Sequence, residues 1–432
     1  MKFISVLAFM IAVLPVGASE AVSFHRDVEP VLQANCQQCH RPGEAAPMSF
    51  LTYEETRPWA RAIHEAVALN RMPPWFADPR FGEWSNAHVL TAEEKRVLIE
   101  WAETGAERGD PSDAPAPLAF VDGWNIGEPD FVLEMPEPFR VPAEGTIDYQ
   151  FLVIPTGFAE DKWVSAAEVR PGNRAVVHHV LAFIRPKGSH WLEGAEPGKV
   201  FVPGATSKEQ RKREGDEYRD ILAGFAPGTE AVSYEGTDHA KLLPAGADVV
   251  LQLHYTASGK PELDRSRVGL RFLDAPPAKR VLTMMASNNK FVIPPGAAAH
   301  PVTSRWVLGQ DTELTAVMPH MHLRGDDFRF ELRYPDGRSE TLLSVPQYDF
   351  DWQYFYYLKQ PMLLPAGTAI ECLAHFDNSP NNPDNPDPSA EVRWGDQSWE
   401  EMMIGFFEIA IGSDKGLQPY LTQGKQARSS GD

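Results

Sequence analysis

One phrase occurs twice in this chain. Leu242-Leu243-Pro244-Ala245-Gly246 and Leu363-Leu364-Pro365-Ala366-Gly367 are identical, and a histidine, His254 or His375, follows each proline by ten residues. A turn and an in-register strand residue that repeat together imply a duplicated structural unit. The surrounding sequence agrees. Residues 149–154, 175–184, 249–256, 267–272, 313–317, 328–334 and 369–376 read as strands, with turn residues such as Pro335-Asp336-Gly337 between them. No sustained helical period interrupts them, so this region reads as two related all-β sandwich domains, 124–275 and 276–415. A polar tail, 416–432, follows.

The histidines in these strands form an ordered series: His178-His179, His254, then His320-Met321-His322, with Met402 further on. Alternate residues of a strand share a face, so His320 and His322 can converge on one ion. His178 and His179 are neighbours and point to opposite faces of a regular strand. They can converge only at a bulge or bend; otherwise one is buried and hydrogen-bonded and the other exposed. Imidazoles joined by one soft thioether favour copper over structural zinc.

The amino-terminal part follows a different period. Cys36-Gln37-Gln38-Cys39-His40 is the c-type haem attachment pattern, in which two thiols bind the haem vinyl groups and the imidazole binds iron. Helical spacing surrounds it, with Val28, Val31 and Leu32 before it and Trp59, Ile63 and Val67 after it. Thr91-Ala92-Glu93-Glu94 reads as a capping box for a further helix. Residues 22–110 resemble a small cytochrome c domain. Met72, in Arg71-Met72-Pro73-Pro74, is the expected second axial ligand, with Met48 as its competitor. Residues 111–123 form a proline-rich linker.

With 43% hydrophobic residues in 432, the chain can fill the cores of two or three domains. Its net charge of −20 argues against nucleic acid and anionic membrane as partners. Lys2, an apolar run and Val16-Gly17-Ala18 read as a signal peptide over 1–18, which predicts a periplasmic or secreted protein with no stable membrane insertion after cleavage. The three cysteines, Cys36, Cys39 and Cys372, supply no disulfide framework.

Four segments, Val177-His178-His179-Val180, Leu251-Gln252-Leu253-His254-Tyr255, His320-Met321-His322-Leu323-Arg324-Gly325 and Glu400-Glu401-Met402, resemble in order the copper type II, ascorbate-dependent monooxygenases, the family of peptidylglycine α-hydroxylating monooxygenase and dopamine β-hydroxylase. The resemblance covers 124–415 and implies two jelly-roll-type sandwiches, each holding one copper. It implies that His178, His179 and His254 bind the electron-transfer copper, with Gln252 nearby. It assigns His320, His322 and Met402 to the copper where oxygen is activated, with Met403 as the rival to Met402. Two positions depart from the peptide-amidating pattern: Met318 stands where an Arg reads the substrate carboxylate, and Phe406 where a Tyr assists. A glycine-extended peptide is therefore not the expected substrate.

The sequence-based expectation is a multidomain chain, with a small all-α cytochrome c-like domain followed by two all-β jelly-roll-type sandwich domains. Its expected function is haem- and copper-dependent hydroxylation of a C–H bond of a small organic substrate with O₂. Electrons would pass from haem c through one copper to the other, with ascorbate or a periplasmic electron donor as reductant. The alternative is a non-catalytic periplasmic electron-transfer or copper-binding protein. His375 is an unassigned candidate beside the Met402 site.

Overall fold

The structure is a computed structural model that describes residues 21–44, 46–121, 123–204 and 218–423. The signal segment 1–18 lies outside the described residues, as does the end of the tail. No helix among the described residues is long and apolar enough to cross a membrane. The chain divides into two compact units, one of Met1–Arg41, Met48–Pro73 and Leu90–Leu118, the other of Pro42–Pro47, Pro74–Val89 and Ala119–Asp432.

The expectation of an all-α cytochrome c-like domain is corrected here. The chain is mostly sheet, with 36% strand against 12% helix, and its helices are small. The longest among the described residues, Ala92–Glu103, has 12 residues. Residues 22–110 are also not one body. The stretch Pro74–Val89 belongs to the β unit, and its aromatics explain why. Trp75, Phe76 and Trp84 pack against the β core around Tyr356. The backbone there pairs with a strand, Ser85 N donating to Tyr357 O at 2.8 Å and Lys359 N to Glu83 O at 2.8 Å. What remains is a set of short helices around Phe24, Leu32, Leu98 and Trp101. Thr91 does cap Ala92–Glu103 in a reciprocal box with Glu94.

The β unit is built on one long sheet. Its strands run in the order Phe131–Glu134, Arg267–Leu273, Lys162–Arg170, His239–Leu243, Lys279–Ser287, Ile404–Gly412, Thr312–His320 and Tyr356–Leu364, with Val232–Ser233 paired to Lys162–Arg170. A five-stranded sheet, ordered Val200–Phe201, Gln150–Pro155, Asp248–Tyr255, Val177–Arg185 and Asp220–Phe225, shares an apolar core with the first half of the long sheet. A four-stranded sheet, ordered His300–Val307, Ala369–Phe376, Gly325–Arg333 and Ser339–Val345, shares another with the second half. Alternating inward residues of each strand fill these cores. The two lobes meet in the long sheet through a short parallel pairing, Lys279 against His239 and Arg280 against Ala240.

The repeated phrases occupy equivalent places. Leu242 and Leu243 end one strand before the turn that leads to His254, and Leu363 and Leu364 end another before the turn that leads to His375. In the second lobe, Gly405 leaves no room for a side chain. A Cβ there would overlap Cys372 Sγ and the Phe330 ring. Gly405→Ala should therefore cost roughly 1–3 kcal/mol through overpacking. Urea denaturation should show this, and the added change Cys372→Ala should recover part of it.

Candidate metal centres

The first cluster forms where two neighbouring strands carry His178, His179 and His254. In the antiparallel pairing His254 lies opposite His179, and Tyr255 lies opposite Val177. His178 is therefore the extra residue of a β-bulge. The bulge overcomes the alternation that would send adjacent side chains to opposite faces. His178 Nδ1 is 3.1 Å from His179 Nδ1 and 3.2 Å from His254 Nδ1. Imidazoles about 2.0 Å from a shared ion stand roughly 3.3–3.5 Å apart, so these donors fit one metal. Asp351 fixes the tautomer of His178. Its carboxylate can only accept, so at 2.9 Å His178 Nε2–H donates to it and Nδ1 keeps the lone pair. That same bond is the main reason the Asp351 carboxyl is held below its usual range.

Burial keeps the His179 and His254 rings neutral. His254 is lowered to about 3 by burial and by His178. His179 is lowered well below its ordinary value by burial, then by the surrounding imidazoles. A neutral imidazole is the form that binds a metal.

The second cluster lies on the other lobe. His320 ends its strand, and His322 follows two residues later. Their rings are 5.3 Å apart and nearly perpendicular. His320 Nδ1 donates to Gln353 Oε1 at 2.6 Å, and His322 Nδ1 donates to Glu400 O at 3.2 Å. Both tautomers therefore present Nε2. His322 Nε2 is buried without any hydrogen-bond partner. Such an atom is costly unless something binds it. Burial lowers His320 to about 4 against the pull of Gln353, and lowers His322 well below the ordinary histidine value.

Met402 lines the same cleft as His320 and His322, whereas Met403 is fully buried in the second lobe's core. Glu401 holds the motif in place. Its carboxylate accepts from His322 N at 2.8 Å and Arg324 N at 2.6 Å, and burial pushes the carboxyl up to about 8. Arg324, itself buried, donates to Asn378 Oδ1 and Trp399 O, each at 2.8 Å. The Asp377 to Pro388 loop thus braces the segment that carries Met402.

The cleft has a volume of about 520 Å³ and reaches both clusters, since His179 and Gln252 line it along with His320 and His322. Tyr149, Phe183, Trp191 and Phe406 supply aromatic wall. Met318 and Phe406 are buried together near Ile404 and Ile221, as packing residues. Tyr149 was not singled out from the sequence. Its ring lies edge-on 4.7 Å from His254 and 6.4 Å from His322, and its buried hydroxyl has no partner. Phe350, equally unmarked, stacks 5.4 Å from His178 and stands 6.0 Å from His322.

His375 does not join either cluster. It pairs with Asp327 at 2.9 Å. In the helical unit, Cys36 O accepts from Cys39 N at 3.1 Å and His40 N at 2.9 Å, which sets Cys36, Cys39 and His40 on one turn. His40 stacks on Phe50 at 4.2 Å, and its buried Nδ1 has no partner. Burial lowers His40 and pushes Cys36 up to about 12. Met48 packs on the helical core, and Met72 lies outside that cluster.

No protein-family model matches the chain, and no curated protein matches it. Among solved structures, the infectious bursal disease virus VP2 subviral particle is 9% identical with a TM-score of 0.18, over 68% of this chain and 75% of that one. The major capsid protein P2 from bacteriophage PM2 is 7% identical with a TM-score of 0.23, over 65% and 97%. Allantoicase from Saccharomyces cerevisiae is 11% identical with a TM-score of 0.17, over 56% and 79%. Likenesses at these scores carry no argument about this chain.

Proposed function

We propose that the chain is a copper-dependent monooxygenase that hydroxylates a C–H bond of a small organic substrate held in the cleft beside His320, His322 and Met402. The observation that carries this reading is the unpartnered, buried His322 Nε2 in a cleft wall shared with a second imidazole and a thioether. Two imidazoles and a thioether suit copper in its reduced state, and the three Nδ1 donors of His178, His179 and His254 suit a second copper. Copper, when bound, would supply one-electron redox steps and the place where O₂ is reduced. The remaining tasks fall to the protein. The aromatic walls of the cleft orient the substrate beside the histidines. The reaction consumes O₂, two electrons and two protons, and yields an alcohol and water. A haem c joined to Cys36 and Cys39, with His40 on the iron, would deliver the electrons. This part rests on those residues alone, with no cytochrome c-like domain around them.

The full chain reconstituted with copper should bind two ions and take up O₂ when reduced. Met402→Ile should lose turnover by at least the roughly 10- to 100-fold that even an outer-shell change costs, while the copper at His178, His179 and His254 stays. Absence of copper binding, or full turnover in that variant, would overturn the reading.

A further inference from the structure

The segment from Asp349 to Tyr354 touches both histidine clusters. Asp351 accepts the Nε2 proton of His178 at 2.9 Å. Gln353 Oε1 accepts the Nδ1 proton of His320 at 2.6 Å, and its Nε2 donates to Phe350 O at 3.0 Å. Asp349 closes the turn, with Oδ1 accepting from Asp351 N at 2.9 Å and its carbonyl from Trp352 N at 3.1 Å. The ring of Phe350 stands between the clusters, 6.0 Å from His254 and 6.0 Å from His322. The far end is anchored, because Trp352 stacks on Tyr354 and Tyr354 is buried in the second lobe's core.

An imidazole offers a lone pair only at the nitrogen that carries no proton, and the partner of the other nitrogen decides which one that is. Asp351 makes His178 present Nδ1, and Gln353 makes His320 present Nε2. One short turn therefore enforces opposite tautomers in the two clusters. Its own hydrogen bonds join the two contacts through the backbone of Phe350.

The geometry points to Phe350–Gln353 as a positioning strap that sets the imidazole tautomers of both clusters together, so that the two sites respond as one unit. This rests on the reading of both clusters as metal sites. Asp351 and Gln353 are positioning residues; the ligands remain the histidines and Met402. The arrangement also defines how a disturbance spreads. Loss of the Gln353 amide frees His320 and also frees the Phe350 carbonyl, which shares a peptide unit with Asp351. Loss of the Asp351 carboxylate frees His178 and loosens the same turn from the other side.

The test uses the full chain with ¹⁵N-labelled histidine, first without copper. Wild type should show His178 protonated at Nε2 and His320 at Nδ1. Gln353→Met should remove the single tautomer of His320 and also move the His178 nitrogen resonances. Asp351→Ala, a change at a side chain 69% exposed and so tolerated by the fold, should do the reverse. On copper titration each variant should lose affinity at both sites, by roughly 10- to 100-fold at the directly contacted one. If each variant alters only its own histidine and its own copper, the strap is overturned. Coupled tautomers in a chain that takes up no copper would sink the metal reading and leave the strap standing. Full copper loading with uncoupled histidines would sink the strap alone.

Discussion

Lys241→Met should destabilise the chain by about 3–5 kcal/mol, because it leaves two buried carboxylates without their counter-charge. Lys241 is 1% exposed, and its ammonium lies 3.2 Å from Asp220, 3.1 Å from Glu408 and 2.9 Å from Thr283 Oγ1. Asp220 also accepts from Thr283 N at 3.0 Å. Burial pulls the ammonium down, but Asp220 and Glu408 outweigh it and hold Lys241 above its usual value. Lys241 and Asp220 belong to the first lobe, Thr283 and Glu408 to the second. The loss should therefore appear as a lower urea midpoint. Lys241→Met combined with Asp220→Leu and Glu408→Leu should recover much of it, since an apolar replacement of a whole buried ion cluster is often neutral or stabilising. A single variant within about 1 kcal/mol of wild type would refute the assignment.

Glu401→Leu should have the next largest effect, and it should fall on one metal site. The change leaves the buried N–H groups of His322 and Arg324 without acceptors. Each such group costs about 1–3 kcal/mol, so the sum is roughly 2–6 kcal/mol. Glu401 ties the segment that carries His322 to its own segment, where Met402 is the next residue. The variant should therefore bind one copper fewer, with the remaining ion at His178, His179 and His254. Metal analysis and calorimetry on the same sample would separate the two effects. Loss of both ions with unchanged stability would contradict this account.

How much of this was legible in the sequence depended on whether the interaction was local. The His178-His179 pair requires a bulge if both side chains are to converge, and the register supplies one beside His254. The duplicated turn likewise marks strand ends in both lobes. The helical module was overdrawn because Trp75, Phe76 and Trp84 look like any aromatic set near helices, yet they pack on strands far away in sequence. Lys241 sits in His239-Ala240-Lys241-Leu242-Leu243, where alternation reads it as a solvent-facing residue. Only the arrival of Asp220 and Glu408 from other strands makes its burial tolerable. Tyr149, Phe350, Asp351 and Gln353 carry no periodic signal, since their positions depend on which turn folds over which strand.

The parallel pairing of His239 and Ala240 with Lys279 and Arg280 has a practical consequence. A cut between residues 275 and 276 would separate the duplicated halves but would leave an open sheet edge on each, at His239–Leu243 and at Lys279–Ser287. Such edges invite pairing with other chains. The halves expressed apart should aggregate, and the same halves produced together should reassemble along that seam into a soluble complex.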